Sequence, residues 1–204
     1  MSTASVERPH GERPMITAAN RLMDRNPGYR VEIIEGQLPV SPPRDVPHAR
    51  ALTEFMRPFL AAELDDGPIE VLQGVGLWLP TGTEDYAIPD LVVVDADLVD
   101  HLVENNCYDP VAFRLVLEVT STNWKADLKT KVAAYAEAKI PVYVIVDRKH
   151  QRLHVLTEPA GSEYGGHRIH SPGESVTLPD SIGAKVTVDV EAILRAGRSQ
   201  QVSD

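Results

Sequence analysis

Cysteine is almost missing from this chain: Cys107 is the single one among 204 residues, so no internal disulfide can form and an ordinary core must hold the fold. Long apolar runs are missing as well. None approaches the ~20 residues of a helical membrane span, and Met1 to His10 lacks the apolar stretch of a secretory leader, so the expected setting is cytoplasmic and off the membrane. Aromatic residues are scarce at 5%, which disfavours a platform for stacking single-stranded bases. Basic residues are short too. With 20 Lys and Arg against 30 Asp and Glu, the net charge of −10 argues against a generic nucleic-acid binder built on a basic face. Neither an internal repeat nor a helix-turn-helix or zinc pattern is present.

What is present is the composition of a globular protein, 43% hydrophobic and 25% charged, at a length that suits one sizeable core. The expectation is a single domain over 14–197, with a disordered start at 1–13 and a flexible tail at 198–204. Charge is unevenly spread. No Lys or Arg occurs between Arg57 and Arg114, whereas Lys125, Lys129, Lys131, Lys139, Arg148, Lys149 and Arg152 crowd the later segment. An acidic region beside a basic one suits a metal site next to a phosphate-reading surface, although clustered charge taken alone reads as a solvated face.

Periodicity predicts a short helix over Ile16 to Asp24, a hairpin over Tyr29 to Val40 turning at Glu35-Gly36, and a helix from His48 to Leu64 with Pro58 inside it. Ile69 to Leu79 and Ile88 to Val94 read as antiparallel strands joined through Pro80 to Asp85, and Asp95 to Asp109 as irregular. Phe113 to Val119, a helix over Asp127 to Lys139 and Pro141 to Val146 form a strand-helix-strand unit, which implies parallel neighbours. Leu153 to Thr157 and Arg168 to His170 look like an antiparallel C-terminal extension, with a closing helix over Val188 to Leu194. The fold class is therefore α/β (α+β): a mixed sheet flanked by helices.

Two of the apolar strands carry an acid. Asp90 stands at the head of Leu91-Val92-Val93-Val94, and Glu118 lies inside Leu115-Val116-Leu117-Glu118-Val119, where an unpaired carboxylate is costly unless it meets a cation or raises its pKa. Lysine follows at Asp127-x-x-x-Lys131, a spacing that alone is an ordinary surface ion pair. Together they make a minimal apparatus for splitting a phosphodiester. The acids hold a hard divalent cation, and the lysine orients water or offsets charge on phosphorus.

The order of motifs resembles the Uma-type family of putative restriction endonucleases, a bacterial branch of the PD-(D/E)XK nuclease superfamily. The likeness runs from Tyr29 to Leu194 through Glu32-Ile33-Ile34-Glu35-Gly36, His48, Pro89-Asp90, Glu118-Val119-Thr120-Ser121, Asp127-x-x-x-Lys131-x-x-x-Tyr135 and Ile140-Pro141-x-Tyr143-x-Ile145-Val146-Asp147. The resemblance implies a restriction-endonuclease-like core and a Mg²⁺ or Mn²⁺ site made by Asp90, Glu118 and the backbone carbonyl of Val119. Thr120 stands where the superfamily has its lysine, so Lys131 on the helix is the catalytic candidate. Glu32, Glu35, His48, Asp127 and Tyr135 are secondary candidates, each read more simply as a turn, cap or core-edge residue. Val142, Val144 and Thr122-Asn123-Trp124 depart from the family pattern beside the site. Three functions stay open: a nuclease acting on nucleic acid, DNA first; a non-catalytic module on the same fold; and a metal-dependent enzyme with a non-nucleic substrate. The first is favoured, as a homodimer, with Glu118 raised in pKa and with Lys131→Ala leaving the melting temperature nearly unchanged.

Overall fold

Leu91–Asp95, Phe113–Val119 and Val142–Asp147 lie side by side at the middle of one six-stranded sheet, buried on both faces as their valine content requires. The computed structural model describes residues 12–64, 67–120 and 124–198, without the side chains of 124–128. Of the disordered start expected at 1–13, residues 1–11 lie outside the described residues, as do 199–204 of the tail expected at 198–204. In chain order the elements are α1 (Pro14–Arg25), β1 (Arg30–Val31), β2 (Val40–Ser41), α2 (Val46–Ala61), β3 (Ile69–Gln73), β4 (Gly76–Trp78), β5 (Tyr86–Ala87) and β6 (Leu91–Asp95). They continue with β7 (Leu102–Glu104), β8 (Cys107–Tyr108), β9 (Phe113–Val119), α3 (Trp124–Glu137), β10 (Val142–Asp147), β11 (Arg152–Ala160), β12 (Glu163–His170), β13 (Ser175–Thr177), β14 (Thr187–Asp189) and α4 (Val190–Ala196).

The large sheet runs β12-β11-β10-β9-β6-β3, with β9 and β10 parallel across α3 and every other pair antiparallel. This is the mixed α+β architecture expected. One face, with Leu91, Val93, Leu115, Leu117, Val119 and Val144, packs on Phe55 and Phe59 of α2 and Ile193 and Leu194 of α4. The other face, with Val92, Val116, Tyr143 and Ile145, packs on Ala134 and Tyr135 of α3 and on Leu77 and Leu79. Because side chains alternate along β9, Leu117 and Val119 point to α2 and Glu118 points to α3.

Three local expectations change. Ile69 to Leu79 is two strands: Gly74, at φ +67°, breaks it, leaving β3 antiparallel to β6 and sending β4 into a second sheet ordered β5-β4-β8-β7. Asp95 to Asp109, expected to be irregular, supplies β7 and β8 of that sheet. Val188 belongs to β14, and α4 starts only at Val190, where the Asp189 carboxylate accepts the Ala192 N–H at 3.0 Å. No helix among the described residues is long and apolar enough to cross a membrane.

Candidate active site

The first hairpin is the least regular part of the frame and the most consequential. Glu35 and Gly36 both take positive φ, 51° and 67°, the twist that suits a two-residue hairpin turn, and Ile34 pairs with Gln37 across it. Asp85 fixes that turn from outside. Its carboxylate accepts the Glu35 N–H at 2.7 Å, the Gly36 N–H at 3.2 Å and the Thr81 hydroxyl at 2.6 Å. With the turn held, Arg30 and Glu32 share one side of the extended backbone and reach toward β6 and β9.

Asp90 precedes β6 and closes the ladder beyond it. One oxygen, Oδ2, accepts the Val119 N–H at 2.8 Å, so the side chain does the work of a strand partner at the end of β9. The other, Oδ1, accepts from two guanidiniums, Arg30 Nη1 at 2.8 Å and Arg44 Nη2 at 2.9 Å. His48 is buried in the first turn of α2, with Nε2 3.3 Å from Asp90 Oδ2 but out of line for a hydrogen bond. Its helix is capped by Asp45, which accepts the His48 N–H at 2.8 Å, so His48 itself is not the cap.

Glu118 meets α3. Lys131 and Tyr135 stand one helical turn apart, and both donate to Glu118 Oε1, the ammonium at 2.6 Å and the phenol at 2.9 Å. Lys131 also donates to Glu32 Oε1 at 3.0 Å, and the same oxygen accepts the Ile88 N–H at 2.7 Å. Arg30 bridges the two halves: its Nη1 holds Asp90 and the Ile88 carbonyl, and its Nη2 lies 3.8 Å from Glu118 Oε2. Three acids thus face three permanent cations, all buried or nearly so except Arg44, which is partly exposed.

Asp90, Glu118, Lys131, Glu32, His48 and Tyr135 therefore converge, although they come from five separate stretches of chain. Glu35 does not join them; it is exposed at the turn. The Asp127 side chain lies outside the described residues. Tyr135 is fully buried against Glu118, closed off from any phosphate, and Thr120 spends its hydroxyl on the Val146 carbonyl at 3.2 Å. Arg30 and Arg44 are the participants that sequence reasoning missed. Strand alternation could have found Arg30, two residues before Glu32; nothing in Pro42-Pro43-Arg44 marks the other.

Burial drives the titration of the cluster. It pushes the Glu118 carboxyl up to about 7, against the pull of Lys131 and with the help of Asp90. Burial pushes Asp90 the same way, but His48, Arg30 and the Val119 N–H outweigh it and hold Asp90 below the usual carboxylate range. For Lys131, burial favours loss of the proton, yet Glu118 and Glu32 keep the ammonium above its ordinary value.

Among the described residues, no three His, Cys, Asp or Glu side chains are arranged to hold a metal ion. The donor chemistry nevertheless fits a hard divalent cation: two strand carboxylates supply oxygen, and Glu118 Oε2 accepts no hydrogen bond among the described residues. On Asp90, Oδ1 already accepts two hydrogen bonds, whereas Oδ2 accepts one, from the Val119 N–H.

Residues 18–191 match the model of the Uma2 family, described as "Putative restriction endonuclease". The chain belongs to that family. A solved structure supports the architecture: one described as a putative nuclease belonging to DUF820, from Anabaena variabilis, is similar over 83% of this chain and 92% of that one with a TM-score of 0.65. At 13% identity that likeness concerns the fold alone. No curated protein matches this Uma2 chain.

Proposed function

We propose that this Uma2 protein is a Mg²⁺- or Mn²⁺-dependent endonuclease that hydrolyses phosphodiester bonds of nucleic acid, DNA first. One observation carries the reading: a buried lysine shared by Glu118 and Glu32 beside Asp90, at the strand ends β6 and β9. Asp90 and Glu118 would hold the ion, with the Val119 carbonyl as a further ligand. When bound, the ion supplies an acidified water and offsets charge on the phosphoryl oxygens. Lys131 keeps its proton in this setting and is suited to stabilise negative charge as it grows on phosphorus, or to orient the attacking water. Tyr135 fixes the Glu118 carboxylate by its hydroxyl, so the acid does not depend on solvent for its orientation.

The pairing of every acid with a fixed cation favours a second reading, a non-catalytic module that keeps the cluster for stability. Calorimetric titration with Mn²⁺ and nicking of supercoiled plasmid, both run on wild type, Asp90→Ala and Glu118→Gln, separate the two. The nuclease reading expects binding and nicking in the wild type and neither in Asp90→Ala. Wild-type protein that binds no Mn²⁺ and leaves plasmid intact would remove it.

A further inference from the structure

Asp90 Oδ1 carries two guanidiniums at once, and they are not equally held. Arg30 is tied by the same Nη1 to the Ile88 carbonyl, its Nη2 faces Glu118, and its side chain is only 16% exposed. Arg44 comes from the loop between β2 and α2, is 29% exposed, and has Asp90 as its one partner among the described residues. A carboxylate oxygen offers two lone pairs, and here both are used. A divalent ion at ~2.0–2.6 Å from that oxygen must take one of them, so one guanidinium has to leave. The charge count agrees: even with all three acids ionised, Glu32, Asp90 and Glu118 only balance Arg30, Arg44 and Lys131, so the intact set has no net negative charge to attract a doubly charged ion.

We infer that Arg44 is a displaceable plug: it fills the position on Asp90 Oδ1 that a divalent cation needs, gives way when the cation binds, and then positions the substrate phosphate. The inference rests on the nuclease reading and deepens it. Being a guanidinium, the plug cannot be removed by raising the pH, since arginine does not deprotonate in proteins. Only competition opens it. Once freed, a planar fork on a partly exposed loop suits bidentate contact with a phosphodiester, whose negative charge would offset the excess positive charge that the ion brings.

The test is Mn²⁺ calorimetry and plasmid nicking on wild type, Arg44→Ala, Arg44→Gln, Arg44→Lys and Asp90→Ala, each shown folded by thermal melting. Arg44→Ala and Arg44→Gln are expected to bind Mn²⁺ roughly tenfold more tightly than wild type and to nick at least about tenfold more slowly. Arg44→Lys should return affinity toward the wild-type value. Opposite signs in binding and cleavage are what a merely structural arginine would not give. Equal Mn²⁺ affinity in wild type and Arg44→Ala, with binding lost in Asp90→Ala, overturns the plug and leaves the nuclease reading standing. Tighter binding with unchanged nicking overturns the phosphate half. No Mn²⁺ binding in any variant removes both the plug and the reading beneath it.

Discussion

Glu118 shows what a single residue can fix and what its surroundings decide. An acid in a valine strand must be compensated, and that much follows from Leu115 to Val119 alone. With its pKa raised from 4.5 to about 7, the folded state holds a proton that the unfolded chain has released between those values. Stability contributed by this group is therefore full below about 4.5 and lost as pH rises toward 7, while Asp90, depressed, stays ionised throughout that window. Metal-free protein should lose urea resistance over this range, and Glu118→Gln should flatten the slope; equal slopes in both proteins would sink the assignment. Lys131 requires a revised expectation. Its ammonium is buried between two acids, so Lys131→Ala strands both and should cost ~3–5 kcal/mol by urea denaturation, against within ~0.5 kcal/mol for Lys129→Ala on the exposed side of α3. A melting temperature unmoved in Lys131→Ala, as the sequence alone suggested, would contradict the buried bridge. The two arginines on Asp90 escaped notice because arginine is by default a surface residue; alternation with Glu32 was the one local sign of Arg30, and nothing local marks Arg44.

Among elements, legibility followed length and composition. Phe113–Val119 and Val142–Asp147 stood out because long, mostly apolar runs have few alternatives to a buried strand. The second sheet did not, since its strands are only two or three residues long and show no period of their own. They exist because neighbours pair with them, a tertiary cause that sequence pattern does not carry. The Tyr29 to Val40 hairpin lies between these cases: Glu35-Gly36 announced the turn, but its lock, Asp85, is fifty positions away from Glu35. Asp85→Ala leaves two turn N–H groups and the Thr81 hydroxyl without their acceptor, at a cost of ~1–3 kcal/mol in urea denaturation. Since the same hairpin delivers Arg30 and Glu32, Mn²⁺ affinity should change with it. Unaltered stability and affinity in Asp85→Ala would show that the hairpin is held by its strands alone.

Across the whole molecule, β3 and β12 end the large sheet, and β12 is eight residues long with most of its side chains exposed. Edges of that length invite a second chain, so a homodimer remains the expected assembly, and sedimentation at the 22.4 kDa of one chain would refute it. The interior is less uniform than one core. A third apolar cluster, with Ile16 and Ala19 of α1 against Val31, Ile33, Trp78, Tyr86 and Cys107, ties the N-terminal helix to the hairpin and the small sheet. Nothing in α1 itself caps its start; Glu84 does so from afar, one carboxylate oxygen accepting the Met15 and Ile16 N–H groups at 3.0 Å each. The helix should therefore detach as a unit when Glu84 is removed, well before the large sheet opens. Cys107 reports that event. It is 2% exposed, and burial pushes its thiol up to about 12, so native protein should react slowly with a disulfide reagent. Glu84→Ala forfeits two charge-assisted hydrogen bonds, at least ~1.5 kcal/mol, and should speed labelling about tenfold while the urea midpoint of the large sheet, followed by far-ultraviolet circular dichroism, stays near that of wild type. Labelling and global unfolding that shift together would mean α1 is part of one cooperative core, and fast labelling of the unaltered protein would mean the third cluster does not shield its thiol.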